Sequence, residues 1–257
     1  MNTRGQLIAL GTIARKETLR IVRIWVQTLV PPVITMTLYF VIFGNLIGRR
    51  IGEMGGFEYM QYMAPGLIMM SVITNSYGNV VSSFFAAKFQ GHLQEMIVAP
   101  MQSWVIILGH VAGGIIRGLA VGLVVTVVAL FFTRVDVQHP FIAISILVLT
   151  ATVFSLGGMI NAIFAQKFDD VSIIPTFVLG PLTYLGGVFY TTALLPEFWA
   201  NVSRFNPILY MVNGFRYGML GVSDINVGMA YAIILIFLVI AFSTCYYLIS
   251  RGVGIRD

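Results

Sequence analysis

The chain is 257 residues long, 58% hydrophobic and only 10% charged, with a formal net charge of +5 and a mean hydropathy of +0.90. Soluble domains carry about a quarter charged residues, so this composition excludes an ordinary soluble globule of that size. The basic excess is small and dispersed, without the clustered, aromatic-interleaved face that nucleic acid requires, and it fits the basic cytoplasmic flanks of a membrane protein.

In chain order, residues 3–25 form the first unit. On a helix, Leu7, Leu10, Ala14, Ile21, Ile24 and Trp25 fall on one side, and Arg4, Arg15, Lys16, Arg20 and Arg23 on the other, with Glu17 intruding on the apolar side. This predicts a helix lying in the cytoplasmic interface, its apolar face in the acyl boundary and its basic face among anionic headgroups of membrane lipid. No secretory signal peptide is expected.

Six apolar stretches follow, at about residues 28–48, 60–85, 104–132, 141–164, 171–189 and 228–249. Each is near or above the ~20 residues that a ~30 Å hydrocarbon core demands, so the fold class expected is all-α, a polytopic membrane protein with six transmembrane helices in one domain over 1–257. Pro31 and Pro32 sit at the start of the first stretch, where missing donors cost little. Pro175 and Pro181 lie inside the fifth and predict a kinked or partly unwound helix. Between the fifth and sixth, residues 190–227 hold apolar pieces too short to cross, punctuated by Pro196, Pro207 and Gly214. They predict re-entrant or interfacial helices that form an external lid.

Six spans put both termini on one side. That side then holds Arg4, Arg15, Lys16, Arg20, Arg23, Lys88, Lys167, Arg251 and Arg256, against Arg49, Arg50, Arg134, Arg204 and Arg216 on the other. The bias favours cytoplasmic termini, with the Arg49–Arg50 pair arguing the other way.

Catalytic patterns are lacking. No lysine completes a G-x-x-x-x-G-K-[ST] phosphate loop, no G-x-S-x-G elbow occurs, and His92, His110 and His139 stand far apart with no second ligand at metal spacing. The single Cys245 permits neither an intrachain disulfide nor a thiolate cluster. An energy source must be a partner or an ion gradient.

In the second stretch Ser71, Asn75, Asn79, Ser82 and Ser83 recur on one helical face. Two readings stand, hydrogen bonding between membrane helices, including at a dimer seam, and the lining of a translocation route. In the third, "GHVAGGIIRGLAVGL", glycines four apart allow close helix approach. Arg117 lies within it, ~20 Å from either end and too deep for easy snorkelling. It either bonds carbonyls freed near Pro175 or Pro181, or faces a cavity and meets an anionic group of a cargo.

Residues 86–100 are too polar to cross a bilayer. Phe89, Leu93, Met96 and Ile97 recur at helical spacing, Lys88, His92 and Glu95 fall on other faces, and Pro100 ends the pattern. Such a short amphipathic helix either lies on the membrane or plugs into a groove of a soluble partner.

Three segments carry a family resemblance. Gly91, Leu93, Ile97 and Pro100 match the cytoplasmic element E-R-E-[KR]-G-T-L-E-x-L-x-x-[ST]-P, whose leading acidic residues are replaced here. "GGVFYTTALLPEFW" is similar to G-x-x-[FY]-P-x-x-x-L-P-x-W, with Thr191 in place of the usual proline. "NPILYMVNGFRYGMLG" matches N-P-[LM]-[TY]-[YH]-x-[VI]-[DE]-x-x-[RK]-x-x-x-x-G at Asn206, Pro207, Arg216 and Gly221, with Asn213 in the acidic place. In this order, over essentially the whole chain, the motifs resemble the ABC type-2 permease family, the YadH-like bacterial inner-membrane permeases within it.

The resemblance implies a homodimeric exporter subunit paired with two copies of a separate ABC ATPase, which binds the ATP and magnesium while this chain carries no cofactor. It makes 86–100 the coupling helix, with Phe89, Gly91, Leu93, Glu95, Ile97 and Pro100 in it. Ser71, Asn75, Asn79, Ser82 and Arg117 are the candidates for the translocation path or dimer seam. Pro196, Asn206, Pro207, Arg216 and Gly221 belong to the lid. An apolar, Phe- and Met-rich lining suits an amphiphilic cargo. An ion-coupled secondary transporter is the alternative, and it needs buried ionisable residues that the spans largely lack.

Overall fold

The computed structural model describes residues 2–254 and leaves aside the side chains of Asn45 and Arg49. Arg49 and Arg256, both used in the charge comparison, therefore lie outside the described residues or side chains. Helix α1 (Thr3–Arg23) is capped by the Asn2 side chain, which accepts from the Gly5 N–H at 3.1 Å. A single residue, Ile24, separates it from α2 (Trp25–Tyr39), which runs on through a π-helical stretch, Phe40–Ile47, into the short α3 (Gly48–Ile51). A minimal antiparallel hairpin, β1 (Glu53–Met54) and β2 (Phe57–Glu58), leads into α4 (Tyr59–Phe89). Then come α5 (His92–Val98), α6 (Ser103–Leu130) and α7 (Pro140–Phe164). The broken unit α8 (Asp170–Ile174), π-helical Pro175–Leu179 and α9 (Gly180–Tyr184) follows. The chain closes with α10 (Glu197–Arg204), α11 (Pro207–Leu220) and α12 (Val227–Arg251).

Among the described residues four helices are long and apolar enough to cross a membrane: Trp25–Gly44, Ser103–Leu130, Pro140–Phe164 and Val227–Arg251. They make this an all-α polytopic membrane protein. The second expected stretch is a helix of 31 residues, about 46 Å at 1.5 Å per residue, but it carries more polar side chains. Its polarity is tolerated because α4 is the central helix, walled by α6, α7 and α11, with most of its length buried. The fifth stretch is shorter than expected. It forms three five-residue segments, together about 22 Å long, and stops at Tyr184 because Gly187 turns the chain with φ +72°.

Two further expectations shift. Pro31 and Pro32 fall in the second turn of α2, since that helix starts at Trp25, so they remove donors that the carbonyls of Gln27 and Thr28 would have used. Helix α1 rests on α6 through Gln6, Ile13, Glu17 and Ile21, while Leu7, Ile8, Leu19 and Val22 stay exposed. The face on which Glu17 looked like an intrusion is the face that packs.

Glycines on α6 explain that seating. A Cβ on Gly109 would stand 2.6 Å from Ile13 Cγ2, and one on Gly113 would stand 2.6 Å from Glu17 Cβ. On the other side of α6, Gly114 abuts Ser155 of α7 and Gly118 abuts Ser76 of α4. The small-residue stripe is thus a two-sided packing surface.

Candidate functional site

Three regions bring together the residues singled out by sequence. The first is the α4–α5–α6 turn. Gly91 caps α5 with φ +80°, a left-handed conformation that costs other residues ~1–2 kcal/mol, so the chain can reverse directly after α4. Leu93 is 0% exposed and plugs into the helix core, whereas Phe89 is 63% exposed. Glu95, Val98 and Pro100 also face out, Gly91 and Ile97 are half-buried, and Leu93 is therefore the peg that holds α5 while its neighbours form the outer surface. Lys88 Nζ donates to the carbonyls of Ile163 at 2.6 Å and Ala165 at 2.9 Å, closing the end of α7. Phe89 and Phe85 each pack against Phe168, with ring centroids 5.0 Å apart, so the α7–α8 loop joins the same surface. In that loop the Asp170 carboxylate accepts from the Gln166 and Lys167 N–H groups, which hold it below the usual carboxylate range. At the other end of α5, Gln6 of α1 donates to the Pro100 carbonyl and accepts from the Gln102 N–H, both at 3.1 Å.

The second region is the polar part of α4. The structure divides the stripe: Ser71, Asn79 and Ser83 are buried in the protomer, Asn75 is half-buried and Ser82 is exposed. Ser71 and Asn75 turn inward on their own helix, Ser71 Oγ donating to the Leu67 carbonyl at 3.0 Å and Asn75 Nδ2 to the Ser71 carbonyl at 3.0 Å. The accessible edge of α4 instead runs Thr74, Gly78, Ser82 and Phe89, and only Ser82 of the polar and small residues on it was picked out by sequence. A helical wheel alone cannot tell which side of a many-sided interior helix is left open.

Asn79 anchors a cluster that sequence reasoning missed. Arg20 Nη2 donates to its Oδ1 at 2.7 Å and to its carbonyl at 3.1 Å, and Arg20 Nε donates to Glu17 Oε2 at 3.3 Å. Glu17 is 0% exposed, with Lys16 Nζ 3.8 Å from Oε1. Fully buried His110 stands on α6, its Nδ1 2.9 Å from the Ile106 carbonyl. The Glu17–Arg20 pair lies within α1, and it is the two Arg20 bonds to Asn79 of α4 that tie α1 into the membrane domain. The available signal was Gly113, placed to receive a side chain across the helix contact.

Arg117 floors a groove between α2 and α4, about 300 Å³ in volume, lined by Gln27, Pro31, Pro32, Thr35, Met36, Met70, Ser71, Thr74 and Asn75. It makes no hydrogen bond or ion pair among the described residues, and its Nε is shut off from solvent without a partner. It does not bond carbonyls near Pro175 or Pro181.

The third region lies at the far end of α4. Asn206 caps α11, accepting from the Ile208 N–H at 3.0 Å and donating to the Leu182 carbonyl at 2.6 Å; Pro207 follows at the first helical position, and Gly221 ends the helix with φ +74°. Arg216 is 0% exposed. Its guanidinium donates to Gly187 O at 2.6 Å, Asn213 Oδ1 at 3.2 Å and Tyr62 O at 3.3 Å, and lies 4.0 Å from the Tyr62 ring centroid. It therefore knots α4, the Gly187 turn and α11 together. Asn213, which stands where the resembled motif has an acidic residue, also receives the Asp224 N–H at 3.1 Å. Pro196 stands exposed at the start of α10.

The family model described as ABC-2 type transporter matches residues 8–220. The inner membrane transport permease YadH of Escherichia coli K12 is 58% identical over 251 residues, covering 97% of this chain and 98% of that protein. Nodulation protein J of Rhizobium leguminosarum bv. trifolii is 24% identical over 215 residues, covering 83% of this chain and 82% of its own length. The same protein from Rhizobium meliloti is 22% identical over 215 residues.

Proposed function

The chain belongs to the ABC-2 type transporter family, and from that premise we propose that it is the membrane subunit of an ATP-driven exporter in a bacterial inner membrane. Two copies pair with two copies of a separate ABC ATPase, which supplies the ATP and magnesium chemistry, and this chain needs no cofactor. Six spans, with α4 and the broken α8–α9 unit added to the four apolar helices, leave both termini in the cytoplasm. Residues 3–25 are the cytoplasmic interfacial element, 86–100 the coupling helix, and 190–227 the external re-entrant lid. An amphiphilic cargo moves outward along the dimer seam, built from the second and fifth spans, α4 and the α8–α9 unit, of each copy. The name of the similar YadH, an inner membrane transport permease, supports the location and the class.

The observation that carries this reading is α5. A helix of seven residues is held from within by Leu93 and follows directly on Phe89, the exposed last residue of α4, which lies beside Phe168 on the outer surface. An exposed aromatic pair on a braced hairpin fits a groove on a soluble partner. The test is to co-express the chain with the candidate ABC ATPase and to replace Phe89 and Val98 with Ser. Loss of ATPase co-purification and of cargo-stimulated ATP hydrolysis, with unchanged membrane insertion, is expected. Full association by the double variant would remove α5 as the docking element.

The buried Glu17 and His110 give the ion-coupled alternative its one structural argument, since both are ionisable groups shielded from water. Transport that stops when the proton gradient is collapsed at constant ATP would favour it.

A further inference from the structure

We infer that the groove between α2 and α4 is a binding site for the phosphate group of an anionic amphiphile, with Arg117 as the charge that receives it. The inference rests on the transport reading above and names the headgroup chemistry of what that route admits.

The guanidinium sits in the middle of α6, thirteen residues from Leu130 and fourteen from Ser103, about 20 Å from either end. A charge at that depth is normally paired or faces a polar cavity. Here it is unpaired among the described residues, and it faces the groove.

Among the described residues nothing stands ready to neutralise it. Glu17 is engaged by Arg20 and Lys16. Arg20 acts on Arg117 electrostatically, which adds to the positive potential instead of cancelling it. The remaining described acidic residues, Glu53, Glu58, Glu95, Asp136, Asp169, Asp170, Glu197 and Asp224, fall in loops, in the hairpin or in the short α5, α8 and α10. A second copy of the chain offers the same set, so it brings no mid-membrane carboxylate either. Among the described residues no anion is on hand for Arg117, which leaves the groove open to one from outside the protein.

Shape says how it arrives. Gln27, Pro31 and Thr35 on α2 and Thr74 on α4 are exposed and form the mouth, while Met36 and Ser71 are buried at its back. The outward side of α2 beside that mouth carries exposed Val30, Ile34 and Leu38, a surface suited to acyl chains. A volume of about 300 Å³ accommodates a headgroup but not an attached chain, which must leave sideways into the membrane. Membrane amphiphiles that carry a negative charge are commonly phosphate esters, and a guanidinium fork matches a phosphate in two parallel hydrogen bonds.

The test uses the purified full-length chain with radiolabelled dodecyl phosphate and, separately, labelled inorganic phosphate, by scintillation proximity. No ATPase is required, so failure here leaves the α5 docking test untouched, and failure of docking leaves this result standing. Saturable dodecyl phosphate binding is expected, weakened at least tenfold in Arg117→Gln, retained in Arg117→Lys, and weakened in Thr74→Trp, which crowds the mouth without altering charge. Equal binding by folded Arg117→Gln overturns the site. If Arg117→Gln does not elute as a folded species, undiminished binding by Thr74→Trp overturns it instead. Inorganic phosphate that binds as tightly as dodecyl phosphate overturns lateral capture of an amphiphile in favour of a free anion.

Discussion

Replacing Arg216 with Met keeps most of the volume and removes every donor. The side chain is fully buried, so the carbonyls of Tyr62 and Gly187 lose its donors together with the cation over the Tyr62 ring, while Asn213 Oδ1 keeps the Asp224 N–H. Charge-assisted hydrogen bonds contribute ~1.5–3 kcal/mol each, but burying the guanidinium costs several kcal/mol, and the two largely cancel. What remains is the penalty of orphaned acceptors, ~1–3 kcal/mol apiece, partly relieved as the Gly187 turn relaxes. A net loss of ~3–5 kcal/mol is expected, which for a chain of this size shifts the melting temperature by roughly 6–20 °C. Arg216→Lys, which keeps the charge but not the three-way fork, should fall between the two. Thermal unfolding of the detergent-solubilised protein, followed by loss of the monodisperse peak, measures the shift. Protease sensitivity in residues 190–206 should rise at the same time, because α11 and the Gly187 turn come apart there. An Arg216→Met protein melting within about 2 °C of the parent would show that the knot is decorative and the reasoning wrong.

Gly113→Leu should detach α1, because a Cβ at that position would stand only 2.6 Å from Glu17 Cβ; a cysteine at Ile13 would then become reactive to water-soluble maleimide, and an inert one would contradict the packing. Single cysteines at Thr74, Gly78 or Ser82 in a Cys245→Ser background should crosslink between copies if the open edge of α4 is the seam, and no crosslink at any of the three places it elsewhere. The Asp170 carboxyl is held low by two backbone N–H groups, so its contribution to loop order is present above the unfolded pKa of ~3.9 and is lost as pH falls through the depressed value. Protection of the Gln166 and Lys167 amides, taken relative to their intrinsic exchange rate at each pH, should therefore hold from pH 7 to pH 5 and fall only in stronger acid, whereas Asp170→Ala should lack it throughout. Identical exchange in the two proteins at pH 7 would refute it.

Uninterrupted apolar runs made most helices legible from composition alone, since a ~20-residue stretch without charge has few other homes. Two proline positions announced the break at Pro175 and Pro181, but the early stop at Tyr184 depends on a glycine turn that one residue type does not announce. Arg216 was marked by its motif, though not its carbonyl partners, which come from segments up to 154 residues away. Glu17 read as a blemish because amphipathic patterning measures a helix against water or lipid, and α1 is measured against a glycine-notched neighbour. The same blindness split the α4 stripe, where each residue obeys the right period but only the surrounding helices decide which face stays open. Arg117 was conspicuous in sequence, and its groove was not, because the walls come from α2 and α4.

The paired hydrogen bonds between Gln6 and the Pro100–Gln102 backbone have a mechanical consequence. A thrust on the α5 turn cannot enter one rod alone. It reaches α6 through the chain and α1 through the glutamine clasp, and from α1 it passes across the single residue Ile24 into α2. The two walls and the floor of the Arg117 cleft would thus be tugged from a common handle, with no separate messenger between the α5 turn and the middle of the helix bundle.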